Sequence, residues 1–447
     1  MLARLFQTAL VVVLASTRGE AQSAVAPYVF AERSGSHDSD DQAGLDDSRA
    51  GNHRNTLSFS LANQTAWDDN VLSNNAQRQS DLTFAFGPRV GIRQERKKSS
   101  LALDYEAGFQ LYRWRPGYNA LNQGLRVETG FQFHPNLSLR FRDASRYRTG
   151  IFQSVLGEGV ASERGTPATL NETVFTPLAR QLENDVIFDI LYQESRQTSL
   201  TIFGGFRNRR FFEKFARPYE LQDLRGASGG FQYSYRLNRT STLGALLSYE
   251  NLTFRASGRL VVQSALVSFG KRLSRNTTLE VFGGPQYARA RDQFRIELPF
   301  FTIAGRVLRA RWHGAAGGTF TFQSGPSLFQ LSGQRLVTEG GGLVTSVSSS
   351  SSDLGVRRRL ANRWSVGGDL QYAETSALGG FLPGARIRGQ RASASLERQL
   401  TEGLKARLGY DFIRQRVKGP VPFLANLDRN RVSLDLSYRF PVMAWGR

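Results

Sequence analysis

The sequence lacks cysteine altogether, so it offers no disulfide framework, no thiolate metal site and no cysteine nucleophile. It has only four histidines, His37, His53, His134 and His313, scattered without metal-ligand spacing. Past the first residues no segment approaches 18 consecutive apolar residues, which excludes membrane-spanning helices. Lysine is scarce as well: Lys97, Lys98, Lys214, Lys271, Lys405 and Lys418 are all there are, so arginine carries nearly all of the formal charge of +20. No basic helix, zinc pattern or RNA-binding signature accompanies that charge, and nucleic acid is not expected as a partner.

What is present is alternation. In the stretch 430–440, NRVSLDLSYRF, Val432, Leu434, Leu436, Tyr438 and Phe440 fall on one side of an extended backbone, and Ser433, Asp435, Ser437 and Arg439 fall on the other. The same grammar recurs upstream: Leu82, Phe84, Phe86, Val90 and Ile92; Leu101, Leu103 and Tyr105 against Asp104 and Glu106; Leu125 and Val127 against Arg126 and Glu128. Forty-four glycines, 11% aromatic residues and only 40% hydrophobic residues suit many short strands whose alternate positions stay polar.

The connections sort by length. Short turns at 93–100, 133–138, 194–199, 236–241, 272–278, 323–327, 359–365 and 398–403 alternate with longer polar segments near 67–80, 114–121, 149–183, 209–225, 255–260, 290–309, 338–346, 376–385 and 417–428. Eight short and nine long connections imply eighteen strands, with sixteen as the alternative count. This asymmetry predicts an all-β fold: a transmembrane antiparallel barrel of the bacterial outer membrane, with short periplasmic turns and long extracellular loops. Trp67, Trp114 and Trp312 near outer strand ends, and Trp364, Tyr438 and Phe440 near inner ends, are the expected interfacial girdles.

The chain divides accordingly. Residues 1–21 have the form of a signal peptide: Arg4, the apolar run Leu5 to Ala15 and a small-residue exit, with cleavage after Ala21 or after Ala24. Residues 22–55 are acidic and poor in apolar side chains, the composition of a disordered periplasmic segment or of an arm that folds back as a plug. Residues 56–440 form the barrel, and 441–447 a short tail.

A barrel of this size encloses a lumen that side chains cannot fill. By strand phase the inward acids are Asp104, Glu106, Glu128, Asp189, Glu250, Glu280, Asp369, Glu397, Asp411 and Asp435. The inward bases are Arg89, Arg126, Arg140, Arg142, Arg207, Arg236, Arg391, Lys405, Arg407 and Arg439. Such a wall is close to balanced, and the excess positive charge is assigned to turns and loops, where Arg209, Arg210, Arg289, Arg291, Arg306, Arg309 and Arg311 gather. Opposed charges either pair across strands and hydrate the wall, or form a polar path with arginines at the mouth that draw anions. The long segment 149–183 is either a surface loop or an inward constriction, and the serine run Ser348 to Ser352 reads as flexible rim. His313 points inward but no nucleophile is placed beside it, so no catalytic, metal or cofactor site is assigned.

The segment Trp67, Asp68, Asp69, Asn70 after the first strand, together with the closing Tyr438, Arg439, Phe440, resembles the β-barrel porin type 2 family of Gram-negative bacteria. The resemblance spans roughly residues 56–440 and implies an outer-membrane channel of a kind often associated with export of capsular polysaccharide or exopolysaccharide. As partners it implies outer-membrane lipid, the barrel-insertion machinery and a periplasmic polysaccharide-export protein. The tail after Phe440 departs from the family's terminal aromatic strand. A passive polysaccharide conduit is therefore the first expectation. A general or anion-leaning porin for small solutes is the alternative, and a barrel-embedded hydrolase or an adhesin stands as a reading from another class.

Overall fold

The computed structural model describes residues 55–73, 75–149, 180–212, 222–255, 258–297, 302–340, 344–378, 384–419 and 426–445. The signal segment, the acidic stretch up to residue 54 and the loop 150–179 lie outside these residues.

Eighteen long strands run antiparallel, each bonded to its neighbour in sequence: β1 (Asn55–Asp68), β2 (Asp81–Arg96), β3 (Ser99–Tyr112), β4 (Ala120–His134), β5 (Leu137–Thr149), β6 (Arg180–Gln193), β7 (Thr198–Phe211), β8 (Leu224–Arg236), β9 (Ser241–Phe254), β10 (Gly258–Ser274), β11 (Thr277–Glu297), β12 (Thr302–Ser324), β13 (Ser327–Gly340), β14 (Val344–Ala361), β15 (Trp364–Ala377), β16 (Arg386–Gln399), β17 (Leu404–Lys418) and β18 (Leu427–Arg439). The sheet closes because β18 returns to β1, from Ser60 opposite Arg439 to Asp68 opposite Arg431. Closure removes sheet edges that lipid could not satisfy.

The tail after Phe440 is part of that closure. A two-residue strand, β19 (Met443–Ala444), pairs with Thr56 and Leu57 of β1, and the Trp445 amide donates to the Asn55 carbonyl at 3.2 Å. Phe440 stays in the girdle, with its ring 4.9 Å from Phe59 and 4.7 Å from Tyr438.

One phase of each strand is greasy and exposed: Phe84, Phe109, Phe188, Ile202, Phe231, Leu370, Leu408 and Leu434 all face outward. Only lipid makes that arrangement favourable, since an apolar belt of this extent in water would forfeit about 25 cal/mol for every Å² left wet. Two glycines in the wall are demanded by close approach: Phe188 lies across Gly204 and Phe282 across Gly317, where a Cβ would sit 2.6 Å from the ring.

Three expectations are corrected by the structure. Most of the segment 290–309 is strand: β11 runs on to Glu297 and β12 begins at Thr302, which puts Arg289, Arg291, Arg309 and Arg311 in strands. Its alternation was masked because Arg289 and Arg291 occupy the outward phase where apolar residues were sought, while the backbone ladder needs no apolar partner. Arg209 and Arg210 likewise belong to β7 rather than to a loop. The serine run lies inside β14, paired to both neighbours, with Ser349 opposite Leu336 and Thr375.

β13 departs from the even ladder. It pairs with β12 only as far as Arg335 opposite Ala316, although β12 continues to Thr302 along β11. Beyond that point β13 and β14 approach β10 and β11 across the intervening strand.

Candidate functional site: the barrel lumen

Part of the inner wall is apolar and covered. Leu224, Leu252, Leu260, Val262, Ala288 and Ala290, inward residues of β8 to β11, are buried together with Val337 of β13, and Leu378 packs against them. A second cluster joins Phe203, Leu246, Leu266 and Ala315 to Leu336. The outer end of β13 therefore lies against this wall from within the barrel.

Polar contacts fix it there. The Val337 amide donates to Gln286 Oε1 at 2.9 Å, so a β11 side chain supplies the acceptor that β12 would have supplied. Arg209 of β7 donates to Glu183 at 2.6 Å and reaches Glu339 of β13 at 3.1 Å. Arg209 and Glu339 are each almost fully buried, and that burial is affordable only because each charge meets the other.

The remaining wall is wet and charged. On the β2 to β7 side, Arg89 meets Asp104 at 3.0 Å, Arg140 meets Glu128 at 3.6 Å, Arg142 meets Asp189 at 2.6 Å and Arg207 meets Asp185 at 2.7 Å. Arg126 lies directly opposite Asp104 on the neighbouring strand. Glu106 shares a notch with Gln110, Asn122, Arg146 and Arg148. On the β15 to β18 side, Arg391 binds Asp411 at 2.7 Å, Lys405 lies 3.8 Å from Glu397, and Asp369 accepts from Ser393 Oγ at 3.2 Å. Arg407 stands opposite both Glu397 and Asp435.

Arg236 and Arg439 occupy the same inner phase but stand exposed at the short-turn mouth, and Glu280 is half-buried opposite Gly270. His313 is opposite Gln286 in the β11 ladder. Among the described residues no group of His, Asp and Glu is arranged to hold a metal ion.

Trp67, Trp312 and Trp364 lie on the outward phase of their strands and Trp114 just past the end of β3; Trp67, Trp114 and Trp312 are 45%, 55% and 67% exposed near outer ends, and Trp364 is 36% exposed near an inner end under the Arg398 guanidinium. Trp114 is set by Asp81, a fully buried carboxylate that accepts its backbone N–H at 3.2 Å and pairs with Arg115.

The four residues after the first strand do structural work. Asp68 points inward and takes Arg429 of β18 through Nε at 2.9 Å and through Nη2, with both side chains 2% exposed. Asp69 accepts from the Asn430 amide at 2.8 Å and from its side chain at 2.7 Å. Asn70 donates its side-chain amide to the Asp428 carbonyl at 2.9 Å and its backbone N–H to Asp68 Oδ1 at 3.0 Å. Trp67, Asp68, Asp69 and Asn70 thus fasten the outer end of β1 to β18, where the barrel closes.

Sequence reasoning missed Arg429, Glu183 and Glu339, and also Asp143, an outward-phase acid of β5 that is buried and held by Asn184 at 2.7 Å. No local signal marked Arg429, since Arg439 shares its strand and its inward phase yet stands exposed.

A closed eighteen-stranded antiparallel barrel with a lipid-facing apolar belt and a hydrated, charged inner wall is a porin-type barrel of the bacterial outer membrane. No protein-family model matches the sequence, and no curated protein sequence matches it. Among solved structures the chain is similar to the outer-membrane protein OpdK of Pseudomonas aeruginosa, with 12% identity over 87% of this chain and 99% of that one and a TM-score of 0.42. It is similar to OccAB4 of Acinetobacter baumannii at 12% identity over 87% and 98%, TM-score 0.43. It is likewise similar to OccK2 (OpdF) of P. aeruginosa, solved in complex with glucuronate, at 11% identity over 87% and 98%, TM-score 0.42.

Proposed function

We propose that the protein is a passive outer-membrane channel for small hydrophilic solutes, with a preference for anions. The observation that carries this reading is the division of the inner wall. The β8 to β11 side carries an apolar cluster covered by the end of β13, while the β2 to β7 and β15 to β18 sides present partly exposed charges. A hydrated solute crossing such a wall exchanges its water for charged and amide groups without entering an apolar region. The net charge of +20 biases the field toward anions.

Export of polysaccharide, which the resemblance through Trp67–Asn70 implies, is the second reading. It is supported less well, because the four residues account for themselves as the closure of the barrel and the lumen is partly taken up by its own wall. Purified protein in planar bilayers tests both. Anion-selective reversal potentials in a salt gradient, and faster entry of glucuronate than of glucose into loaded vesicles, are expected. Cation selectivity removes the anion preference, and passage of long oligosaccharides restores the export reading.

A further inference from the structure

Above the lipid-facing belt, four adjacent strands carry a charged collar on their outer surface. Along the outward phase of β15, Leu370 and Tyr372 give way to Glu374; on β16, Ala392 and Gln390 to Arg388 and Arg386; on β17, Tyr410 and Phe412 to Arg414, Arg416 and Lys418; on β18, Val432 and Asn430 to Asp428. The tyrosines mark the interface: Tyr372 donates its hydroxyl to Glu374 at 2.9 Å and Tyr410 donates to Asn430 at 2.8 Å. The collar therefore begins where acyl chains end.

The register makes this patch costly by itself. Arg388 is directly opposite Arg416, and Arg386 directly opposite Lys418, on one face of one hairpin. Like charges placed opposite one another destabilise a sheet. Glu374 answers Arg386 at 3.2 Å and Arg388 at 2.9 Å, and Asp428 answers Arg414 at 2.8 Å and Arg416 at 2.7 Å. Five cations against two carboxylates leave three positive charges over (5 − 2 = 3). The connecting segments 378–385 and 419–427 contain no acidic residue, and the residues of β14 opposite Ser376 and Glu374 are Ser348 and Ser350.

We infer that this collar binds the phosphates of a phosphorylated glycolipid of the outer leaflet. The guanidinium groups face outward, are 40–47% exposed, and lie immediately beyond lipid-contacting aromatics, which is the depth of a headgroup. Paired arginines match phosphate oxygens bidentately. The partner is a membrane lipid rather than a transported anion, because the collar lies outside the lumen.

The test uses the full chain in non-ionic detergent, titrated with diphosphoryl lipid A and with dephosphorylated lipid A, and bound lipid counted by native mass spectrometry. Diphosphoryl lipid A is expected to bind the more tightly, and to lose affinity as salt rises. Arg388→Gln/Arg416→Gln is expected to weaken it about 30-fold, from the usual contribution of each basic residue near an anionic surface. Lys271→Gln/Arg358→Gln, on the same outward phase at the short-turn end, is expected to leave binding unchanged. Folding of each variant is read from the mobility of unheated samples on gels. Equal binding of the two lipids by the unmodified protein, or full affinity in a folded collar variant, overturns the inference.

Discussion

Asp68→Asn isolates the closure of the barrel. In the native protein the Arg429 guanidinium is bidentate on Asp68, and neither side chain has more than 2% of its surface in solvent. Asn preserves the shape of Asp68 but removes the charge, leaving an arginine buried without its counter-ion. Removing one partner of such a pair costs about 3–5 kcal/mol, or about two to three and a half decades in the unfolding equilibrium. Desolvation dominates that figure, so it should disappear when both charges go: Asp68→Leu/Arg429→Met should return to within about 1 kcal/mol of the native protein. The assay is urea unfolding from lipid vesicles, followed by tryptophan fluorescence, with the difference between single and double variants taken as a cycle. If Asp68→Asn costs less than about 1 kcal/mol, or if the double variant is as unstable as the single, the pair does not hold the seam.

Other contacts can be tested in the same way. Gln286→Leu removes the acceptor of the Val337 amide and leaves a buried N–H unpaired, so stability should fall by about 1–3 kcal/mol, with conductance noise rising as the end of β13 loosens. Glu339→Gln breaks the contact with Arg209 across the lumen, and single-channel records should show larger or more variable conductance; records identical to native would show that apolar packing alone holds β13 inward. Truncation after Phe440 removes the β19 pairing with Thr56 and Leu57 and should lower assembly yield in reconstitution, while leaving the conductance of assembled channels unchanged.

Much of the architecture was legible along the chain because a β-barrel's alternation is a local signal. A residue's phase in its strand decides whether it meets lipid or water, and that phase can be counted from Leu101, Leu103 and Asp104 without knowing which strand lies alongside. The long hairpin of β11 and β12 was not legible, since Arg289 and Arg291 break the apolar phase above the membrane and nothing local distinguishes such a strand from a polar loop. The serine run misled for the opposite reason: small polar residues suggest flexibility, yet β14 is held by ladders on both sides.

Fold class and strand number follow from patterns local to the chain, because side-chain alternation and what lipid tolerates need no knowledge of which strand lies alongside. That Asp68 closes on Arg429, that Arg209 reaches Glu339 across the lumen, that β13 leaves β12 to cover an apolar cluster, and that like charges meet on β16 and β17 emerged only with the folded barrel. These depend on register and on contacts between residues 130 to 361 positions apart in the case of the two buried pairs, which no local pattern encodes.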